Sequence, residues 1–489
     1  MGLIAKSPVM QNAKKHTIVK YKLVFLIIIF VTTKGFCQYG SDLFEKVSEF
    51  VESERKANNI PSVVVGITDK DKIIYLNSFG KGEKDDLYLI GSNSKSFTAL
   101  AILILQENKS LDIDKPVREY LTWFKYLNSE HSDKITVRDL LNHTSGIPRK
   151  LGMYEPNKKA EIQEFFSNLL EQVPKTNKIG QFEYSNLNYQ LLGLIIEKTS
   201  GKKYSEFLKD EILKPLNLNK TFSTQKESEQ HGFIPSYQYV LYYPGITKKI
   251  NYDDYAVSSG FISSTASDMC RYLRALMNVN DSTQDGIISK NISDQLFKPR
   301  TDIGSLYGMG WVIQNWEEYK RFRHDGATQS FSSDMLIIPE LEIGIVIMSN
   351  VNNSPSTNEM ADGILRILTN KERIEFSKTN FYLRNSLPLF AVCVLIVLFF
   401  RLKKWIRLKF PVGIKKSFLP NIWLIFGIVF GLFWIIYVPF AFDTPILAII
   451  DYEPNSGYSL IVLTIGIIIS SLIGYFNKTK STLPNKELS

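Results

Sequence analysis

The feature that most constrains this chain is a set of three long apolar runs near its C-terminus, at about 386–400, 421–442 and 457–476. A helix needs about 20 apolar residues to cross the hydrocarbon core of a bilayer. The second and third runs meet that length, whereas the first needs flanking apolar residues or a thinner bilayer. The alternative is one long buried helical domain, and the 22 uncharged residues of the second run argue against it. The sequence therefore predicts three transmembrane helices within 386–476, followed by a tail at 477–489.

The other end of the chain predicts an export signal over residues 1–37. A basic stretch precedes the apolar run 23–32, and small residues stand at the −3 and −1 positions of a cleavage site before Gln38. About ten apolar residues are too few to span a bilayer comfortably. Two alternatives stay open, namely an uncleaved anchor and a lipidated Cys37, although the residues before Cys37 make a poor lipidation motif.

The net charge of +9 is concentrated at the two ends of the chain. Residues 1–37 carry +6 and residues 384–489 carry +7, whereas 38–383 carries −4. A nucleic-acid-binding protein would carry its basic excess on a folded domain, so this distribution argues against that class. The loop between the first two apolar runs is basic and the next loop is acidic. The positive-inside rule then predicts a multi-pass protein of the inner (cytoplasmic) membrane, with 38–380 on the periplasmic or extracellular side and the tail in the cytoplasm.

The segment 38–380 is predicted to be one α+β domain. Strand-like runs occur near both of its ends, at 62–67, 73–79, 308–314, 321–324, 334–338 and 343–348. Helical patterns occur at 41–57, 94–106, 191–198 and about 356–370, and the centre is mostly helical and loop-like. One antiparallel sheet built from both chain ends, flanked by helices and with an inserted helical region, accounts for this order. Cys270 is the one cysteine of this segment, so neither a disulfide nor metal-ligand spacing is expected there.

A nucleophile candidate lies at Ser92, where Ser92-Asn93-Ser94-Lys95 opens the apolar helix. Residues one helical turn apart share a face. A lysine desolvated in an apolar setting can take the proton of a serine hydroxyl and so activate it. Ser-x-x-Lys occurs five times in the chain, and only Ser92 both follows a strand-like run and precedes a long apolar helix. The competing interpretation is a helix-capping serine beside a solvated lysine.

Two later segments support the first. Tyr184-Ser185-Asn186 stands just before a predicted helix, and His324-Asp325-Gly326-Ala327 ends a strand-like run. A glycine at position 326 would let the backbone approach a substrate closely. Each segment alone is weak, because Tyr-x-Asn occurs four times and a single histidine is usually structural.

Taken in order, the three segments resemble the markers of the serine β-lactamase and penicillin-binding-protein-like hydrolase family, of class C β-lactamase type. Those markers are Ser-x-x-Lys, then Tyr-x-Asn, then Lys-Thr-Gly or His-x-Gly. Segments 140–148, 259–269 and 307–311 resemble further stretches of the same family. The membrane layout is similar to that of the periplasmic peptidase of colibactin maturation.

The resemblance implies a β-lactamase/transpeptidase-like fold and a role for each motif residue. The implied catalytic residues are the nucleophile Ser92, its base Lys95 and the proton shuttle Tyr184, its phenol acidified by Lys95. The implied substrate-binding residues are Asn186, which bonds substrate or Lys95, and His324, Gly326 and Ala327, with the amides of Ser92 and Ala327 as the oxyanion hole. Neither a metal nor an organic cofactor is expected.

The sequence thus predicts a membrane-anchored, externally facing serine hydrolase that cleaves an amide or ester of a small molecule or peptide through an acyl-serine. A D-amino-acid-containing substrate is one option. Histidine is mostly neutral at pH 7, so His324 binds a substrate carboxylate less strongly than the lysine of many lactamases, which favours a peptidase or esterase. The alternative is a penicillin-binding or sensing protein that is acylated without efficient turnover.

Overall fold

The structure is a computed structural model that describes residues 41–125, 133–153, 162–171, 179–240, 243–247, 252, 254–279, 286–372, 379–407 and 418–480. The predicted export signal at 1–37 and the last part of the tail lie outside the described residues.

The strands are named in chain order. They are β1 (Ser62–Thr68), β2 (Ile73–Gly80), β3 (Tyr88–Leu89), β4 (Tyr237–Val240), β5 (Tyr243–Thr247), β6 (Ser263–Ser264), β7 (Val312–Trp316), β8 (Tyr319–Ala327), β9 (Ser332–Ile338) and β10 (Ile343–Ser349).

The α-helices are named in the same way. They are α1 (Ser41–Ala57), α2 (Ser94–Glu107), α3 (Val117–Tyr120), α4 (Val137–Leu141), α5 (Ile162–Leu170), α6 (Asn186–Ser200), α7 (Tyr204–Leu208), α8 (Gln225–His231), α9 (Ala266–Met277), α10 (Lys290–Leu296), α11 (Ser354–Leu368), α12 (Thr379–Arg407), α13 (Phe418–Ala441), α14 (Ile446–Tyr452) and α15 (Pro454–Lys480).

A six-stranded antiparallel sheet forms the centre of the domain, in the order β2-β1-β10-β9-β8-β7. Strand β1, from the start of the chain, pairs with β10, from the end of the domain, with Val63 opposite Ser349. Every residue of β1, β9 and β10 is buried. Helix α9 packs on β1 and β10, and α11 packs on β9 and β10. The predicted α+β arrangement of one sheet built from both chain ends is confirmed.

Helix α2 runs through the core beside this sheet. Its residues from Ser94 to Leu105 are all buried, as expected for a helix that is apolar on every side. Because the helix cannot slide without exposing this surface, it fixes the position of the short segment that precedes it.

The described part of the centre is mostly helical and loop-like, as expected, and it also contains the β4–β5 hairpin. The strand expected at 308–314 begins only at Val312, because Gly310 adopts a left-handed φ of 74° that interrupts an extended strand.

The C-terminal region contains three helices that are long and apolar enough to cross a membrane, at Ser386–Arg407, Leu424–Ala441 and Pro454–Tyr475. Their apolar side chains are largely exposed, with Ile436 62% and Phe440 81% accessible. The sequence analysis did not predict the short helix α14, which lies in the connection between the second and third of these helices.

Candidate active site

Ser92 lies in a 3-10 turn, Gly91–Asn93, between β3 and α2. Gly91 has a φ of 55°, and a Cβ on it would stand 2.5 Å from the amide nitrogen of Ala327. The turn is held from outside as well, because Asn93 Nδ2 donates to Ser333 Oγ at 2.8 Å. The helix itself begins at Ser94, so Ser92 precedes the helix N-cap at Asn93 and is not the capping residue.

The side chain of Lys95 is fully buried beside Ser92. Its Nζ lies 3.1 Å from Ser92 Oγ, 2.8 Å from Asn186 Oδ1 and 2.5 Å from the carbonyl oxygen of Ser259. Burial lowers the pKa of Lys95 well below its usual value of 10.5. A neutral amine has two N–H donors and one lone pair. The donors then go to Asn186 and Ser259, whose oxygens can only accept, and the lone pair accepts the Ser92 hydroxyl.

A second Ser-x-x-Lys pair in the chain shows how much this environment matters. At Ser53, the lysine of the motif is Lys56, whose side chain is 68% exposed and ion-paired with Glu52. Lys56 is thus a solvated lysine, whereas Lys95 is enclosed by the protein. The interpretation of Ser92 as a cap beside a solvated lysine is therefore excluded by the burial of Lys95.

Tyr184 and Asn186 reach the same point from the start of helix α6. Tyr184 precedes the helix, shares a hydrogen bond with Ser92, and has its ring centroid 5.0 Å from Lys95 Nζ. Burial raises the pKa of the Tyr184 phenol, and the hydrogen bond with Ser92 lowers it only in part. The resemblance implied a phenol acidified by Lys95, but Lys95 is not among the groups that lower the pKa of Tyr184. Tyr184 is therefore a neutral phenol in the resting site.

His324, near the end of strand β8, faces Tyr307 and its own backbone. Its Nδ1 is 2.7 Å from the carbonyl oxygen of Asp325, and its Nε2 is 3.1 Å from the Tyr307 hydroxyl. With the proton on Nδ1, Nε2 accepts from Tyr307. Burial lowers the pKa of His324 to about 4, so the ring is neutral at pH 7.

Gly326 and Ala327 complete the end of β8. Pairing with β7 ends at Arg323, so residues beyond it are free to face the site on that edge. A Cβ on Gly326 would collide with the carbonyl oxygen of Ile90 and stand 2.5 Å from Ser333 Oγ. The close backbone approach expected at Gly326 is thus made to Ile90, and this approach brings the Ala327 amide beside Gly91.

Several residues that the sequence analysis did not assign also belong to the site. The buried ring of His143 lies among three tyrosines, with centroid distances of 4.4 Å to Tyr184, 5.1 Å to Tyr189 and 4.9 Å to Tyr307. The Ser185 amide donates to His143 Nδ1 at 3.2 Å, which fixes the turn between Tyr184 and α6. The resemblance of segments 140–148, 259–269 and 307–311 was the signal for His143, Ser259 and Tyr307, although it gave them no role.

Two cavities meet at Ser92. The smaller has a volume of about 260 Å³ and the larger about 790 Å³. Helix α14 contributes Ala448 and Tyr452 to both, so it covers the site between them. Within the described ranges, no group of three or more His, Cys, Asp or Glu side chains could hold a metal ion.

Comparison with known proteins agrees with this geometry. A family model for the beta-lactamase domain matches residues 47–369. Protein flp of Staphylococcus aureus (strain N315) is 26% identical over 325 residues, 64% of this chain and 64% of that protein. Penicillin-binding protein 4* of Bacillus subtilis (strain 168) is 31% identical over 309 residues, 57% of this chain and 65% of that protein. The chain thus spans about 64% of the length of the first of these curated relatives.

A solved structure shows the same fold. The class C beta lactamase from Rhodobacter sphaeroides matches with a TM-score of 0.56 and 19% sequence identity, covering 66% of this chain and 98% of that one. The motif-based resemblance to serine β-lactamases and penicillin-binding proteins is confirmed. With the family model matching 47–369, on a sheet and helices of this kind, the chain belongs to the beta-lactamase family.

Proposed function

We propose that the protein is a membrane-anchored, externally facing serine hydrolase that cleaves an amide or ester through an acyl-serine intermediate. The observation that carries the proposal is the 3.1 Å contact between Ser92 Oγ and the buried amine of Lys95. A serine hydroxyl becomes a useful nucleophile when an adjacent base takes its proton, and a desolvated lysine is such a base.

The residues around Ser92 support each proton transfer of that reaction. Ser92 Oγ bonds to the substrate carbonyl carbon while its proton passes to Lys95 Nζ. The bond to the leaving nitrogen or oxygen then breaks, and that atom receives the proton through the Tyr184 hydroxyl. A water molecule next attacks the acyl-serine. The hydroxyl group of the water becomes part of the released acid, and its proton returns to Ser92 Oγ. The backbone amides of Ser92 and Ala327 donate hydrogen bonds to the oxyanion. In other enzymes, removal of one such donor lowers kcat by about 10²–10³.

The neutral His324 favours a peptidase or esterase over an efficient penicillin hydrolase. A lysine in that position would present a fixed positive charge to a substrate carboxylate, whereas a ring with a pKa of about 4 presents none at pH 7. The Bacillus subtilis relative is named a penicillin-binding protein. The alternative is therefore a protein that is acylated but turns over slowly, and the labelling test below distinguishes it from a hydrolase.

The proposed orientation is supported by where the domain contacts the C-terminal region. Lys150 Nζ, in the domain, lies 3.7 Å from Asp443 Oδ1, in the acidic connection between α13 and α15. This contact favours a domain and an acidic connection on the same side of the membrane, and under the positive-inside rule that side is the outside. A protease added to intact spheroplasts should digest the domain while a C-terminal tag stays protected. Full protection of the domain would contradict the orientation.

Active-site labelling tests the proposed reaction. We expect Ser92→Ala to lose all labelling by a fluorophosphonate probe, because no other serine hydroxyl in the described residues contacts a buried lysine amine. Ser200→Ala is the matched control, since Ser200 also begins a Ser-x-x-Lys sequence and should label like the parent. Undiminished labelling of Ser92→Ala would refute the assignment. Stoichiometric labelling by penicillin with no hydrolysis of esters or amides would replace the hydrolase by the sensing alternative.

A further inference from the structure

We infer that the leaving group of the substrate carries a hydrocarbon chain, so that the substrate is an amphiphile taken from the outer leaflet of the membrane. This inference rests on the proposed function, because it names the substrate class of the same site. It is carried by the walls of the two cavities that meet at Ser92.

The larger cavity is formed jointly by the catalytic residues and the C-terminal helices. Each of the three apolar helices contributes a residue near the end that adjoins the domain, Leu387 from α12, Val438 from α13 and Leu460 from α15. Phe442, just after α13, is a fourth apolar residue of the wall. The charged residues Arg149, Asp325 and Glu453 also line this cavity of about 790 Å³. Its apolar wall is therefore the part that suits a hydrocarbon chain, because burial of CH₂ groups there is favourable.

The smaller cavity has a different character. Its volume is about 260 Å³, and its wall includes the polar side chains of Gln190 and Gln329, which the larger cavity lacks, and of Asn186, which lines both. A short acyl group with hydrogen-bonding atoms fits such a space, whereas a long chain does not.

The position of Tyr184 decides which part of the substrate enters which cavity. Tyr184 and His324 line the larger cavity and are absent from the wall of the smaller one. If Tyr184 passes the proton to the leaving atom, the leaving group lies in the larger cavity and the acyl group in the smaller. The chain is therefore attached to the leaving amine or alcohol.

The rim of the larger cavity points to the bilayer as the source of the substrate. Phe442 lines the cavity and is still 68% exposed, and its neighbour Phe440 is 81% exposed. Phe440 lies at the end of α13 and Phe442 directly after it, and α13 is long and apolar enough to cross a membrane. A chain that leaves the cavity past Phe442 can thus continue into the outer leaflet. Acyl transfer to Ser92 would release a chain-bearing amine or alcohol, which gains the proton and stays in the membrane.

The connection that covers the site is fixed to the domain at three points. Besides Lys150 and Asp443, Gln238 Nε2 donates to the Asp451 carbonyl at 2.8 Å and Asn352 Nδ2 donates to the Tyr452 carbonyl at 2.9 Å. The apolar helices therefore form part of the site in addition to anchoring the domain.

Two ester series test the inference on the full-length protein in phosphatidylcholine vesicles. In one series N-acetylglycine is esterified with ethanol, butanol, octanol and dodecanol, which places the chain on the leaving group. In the other, p-nitrophenyl esters of acetic, butanoic, octanoic and dodecanoic acids place it on the acyl group. We expect kcat/KM to rise at least about tenfold from butyl to dodecyl in the first series and not to rise in the second. A rise confined to the acyl series, or no rise in either, overturns the inference.

A matched pair of variants on α13 locates the effect. Val438→Trp fills the larger cavity, whereas Val429→Trp changes a side chain that is 62% exposed on the same helix. Val438→Trp should remove the gain with chain length, whereas Val429→Trp should keep both the gain and the parental rate on the ethyl ester. An undiminished gain in Val438→Trp also overturns the inference. Ser92-dependent hydrolysis of the ethyl ester reports on the proposed function separately, so each can fail alone. If Val438→Trp does not fold, the two ester series on the parent protein still decide.

Discussion

The beta-lactamase domain and the C-terminal helices handle polar and apolar groups in opposite ways. In the domain, the side chain of Lys95 is fully buried, and three oxygen atoms contact its Nζ. The C-terminal helices instead expose apolar side chains such as Ile436 and Phe440. The two regions therefore have surfaces suited to different surroundings. The core of the domain excludes water around one amine and lowers its pKa, whereas the helices are long and apolar enough to cross a membrane.

The largest expected effect concerns the buried amine. Lys95→Met should lower kcat/KM on a short ester by about 10³-fold, because it removes the base and leaves the oxygens of Asn186 and Ser259 without their donor. Lys203→Met is the matched control, since Lys203 ends the Ser-x-x-Lys sequence of Ser200 and touches none of these groups. Steady-state kinetics measure the change, and a Lys95→Met enzyme with parental rates would move the base role to another group.

The next effect is the pH dependence of the parent enzyme. The active form of the base is the neutral amine, which is populated above the pKa of Lys95. Because burial lowers that pKa well below 10.5, kcat/KM should rise far less between pH 7 and pH 9 than it would with a lysine of ordinary pKa. A lysine of ordinary pKa would give about a hundredfold rise over the same range. A rise of that size would show that Lys95 is not desolvated in solution.

The close packing of β8 on the serine turn predicts a smaller loss. Gly326→Ala places a methyl group against the Ile90 carbonyl and should lower kcat/KM about 30-fold, with about 1–3 kcal/mol of lost stability. Gly286→Ala is the control, because a Cβ there meets nothing within 4 Å. Thermal unfolding and ester hydrolysis, measured together, distinguish a displaced end of β8 from general unfolding. Parental kinetics in Gly326→Ala would show that this approach does not position Ala327.

The smallest effect is expected where the two regions touch. Asp443→Asn removes the ion pair with Lys150, and both side chains are about two fifths exposed. Such a pair contributes at most about 1 kcal/mol, so the rate on short esters should change less than about threefold. Steady-state kinetics on a short ester at low and high salt measure this change in rate. A loss above tenfold would show that the ion pair, and not the backbone contacts of α14, holds the cover over the site.

Much of the fold was predictable because its signals are local. Helix α1 was predicted at 41–57 and is observed at Ser41–Ala57, and α2 was predicted at 94–106 and is observed at Ser94–Glu107. Capping residues and apolar periodicity mark such boundaries in the sequence itself. Helix α6, predicted at 191–198, begins earlier at Asn186. The polar residues of its first turn hid this start, although they carry the Tyr184 and Asn186 motif.

The parts that were not predicted depend on contacts between distant residues. Nothing near His143 in the sequence indicates a ring enclosed by Tyr184, Tyr189 and Tyr307. The same holds for α14, whose cover over Ser92 depends on contacts with Gln238 and Asn352 far away in the chain. The motif order predicted which residues meet, whereas the neutral state of Lys95 and His324 follows from burial that only the folded structure reveals.

Locating the covalent intermediate tests the central claim most directly. The full-length protein is mixed with p-nitrophenyl acetate, quenched in acid before turnover is complete, and digested for peptide mass spectrometry. The account predicts one acetyl group on the peptide that contains Ser92, and none on that peptide in Ser92→Ala. An acetyl group on a different residue of the parent protein, with Ser92 unmodified, would contradict it.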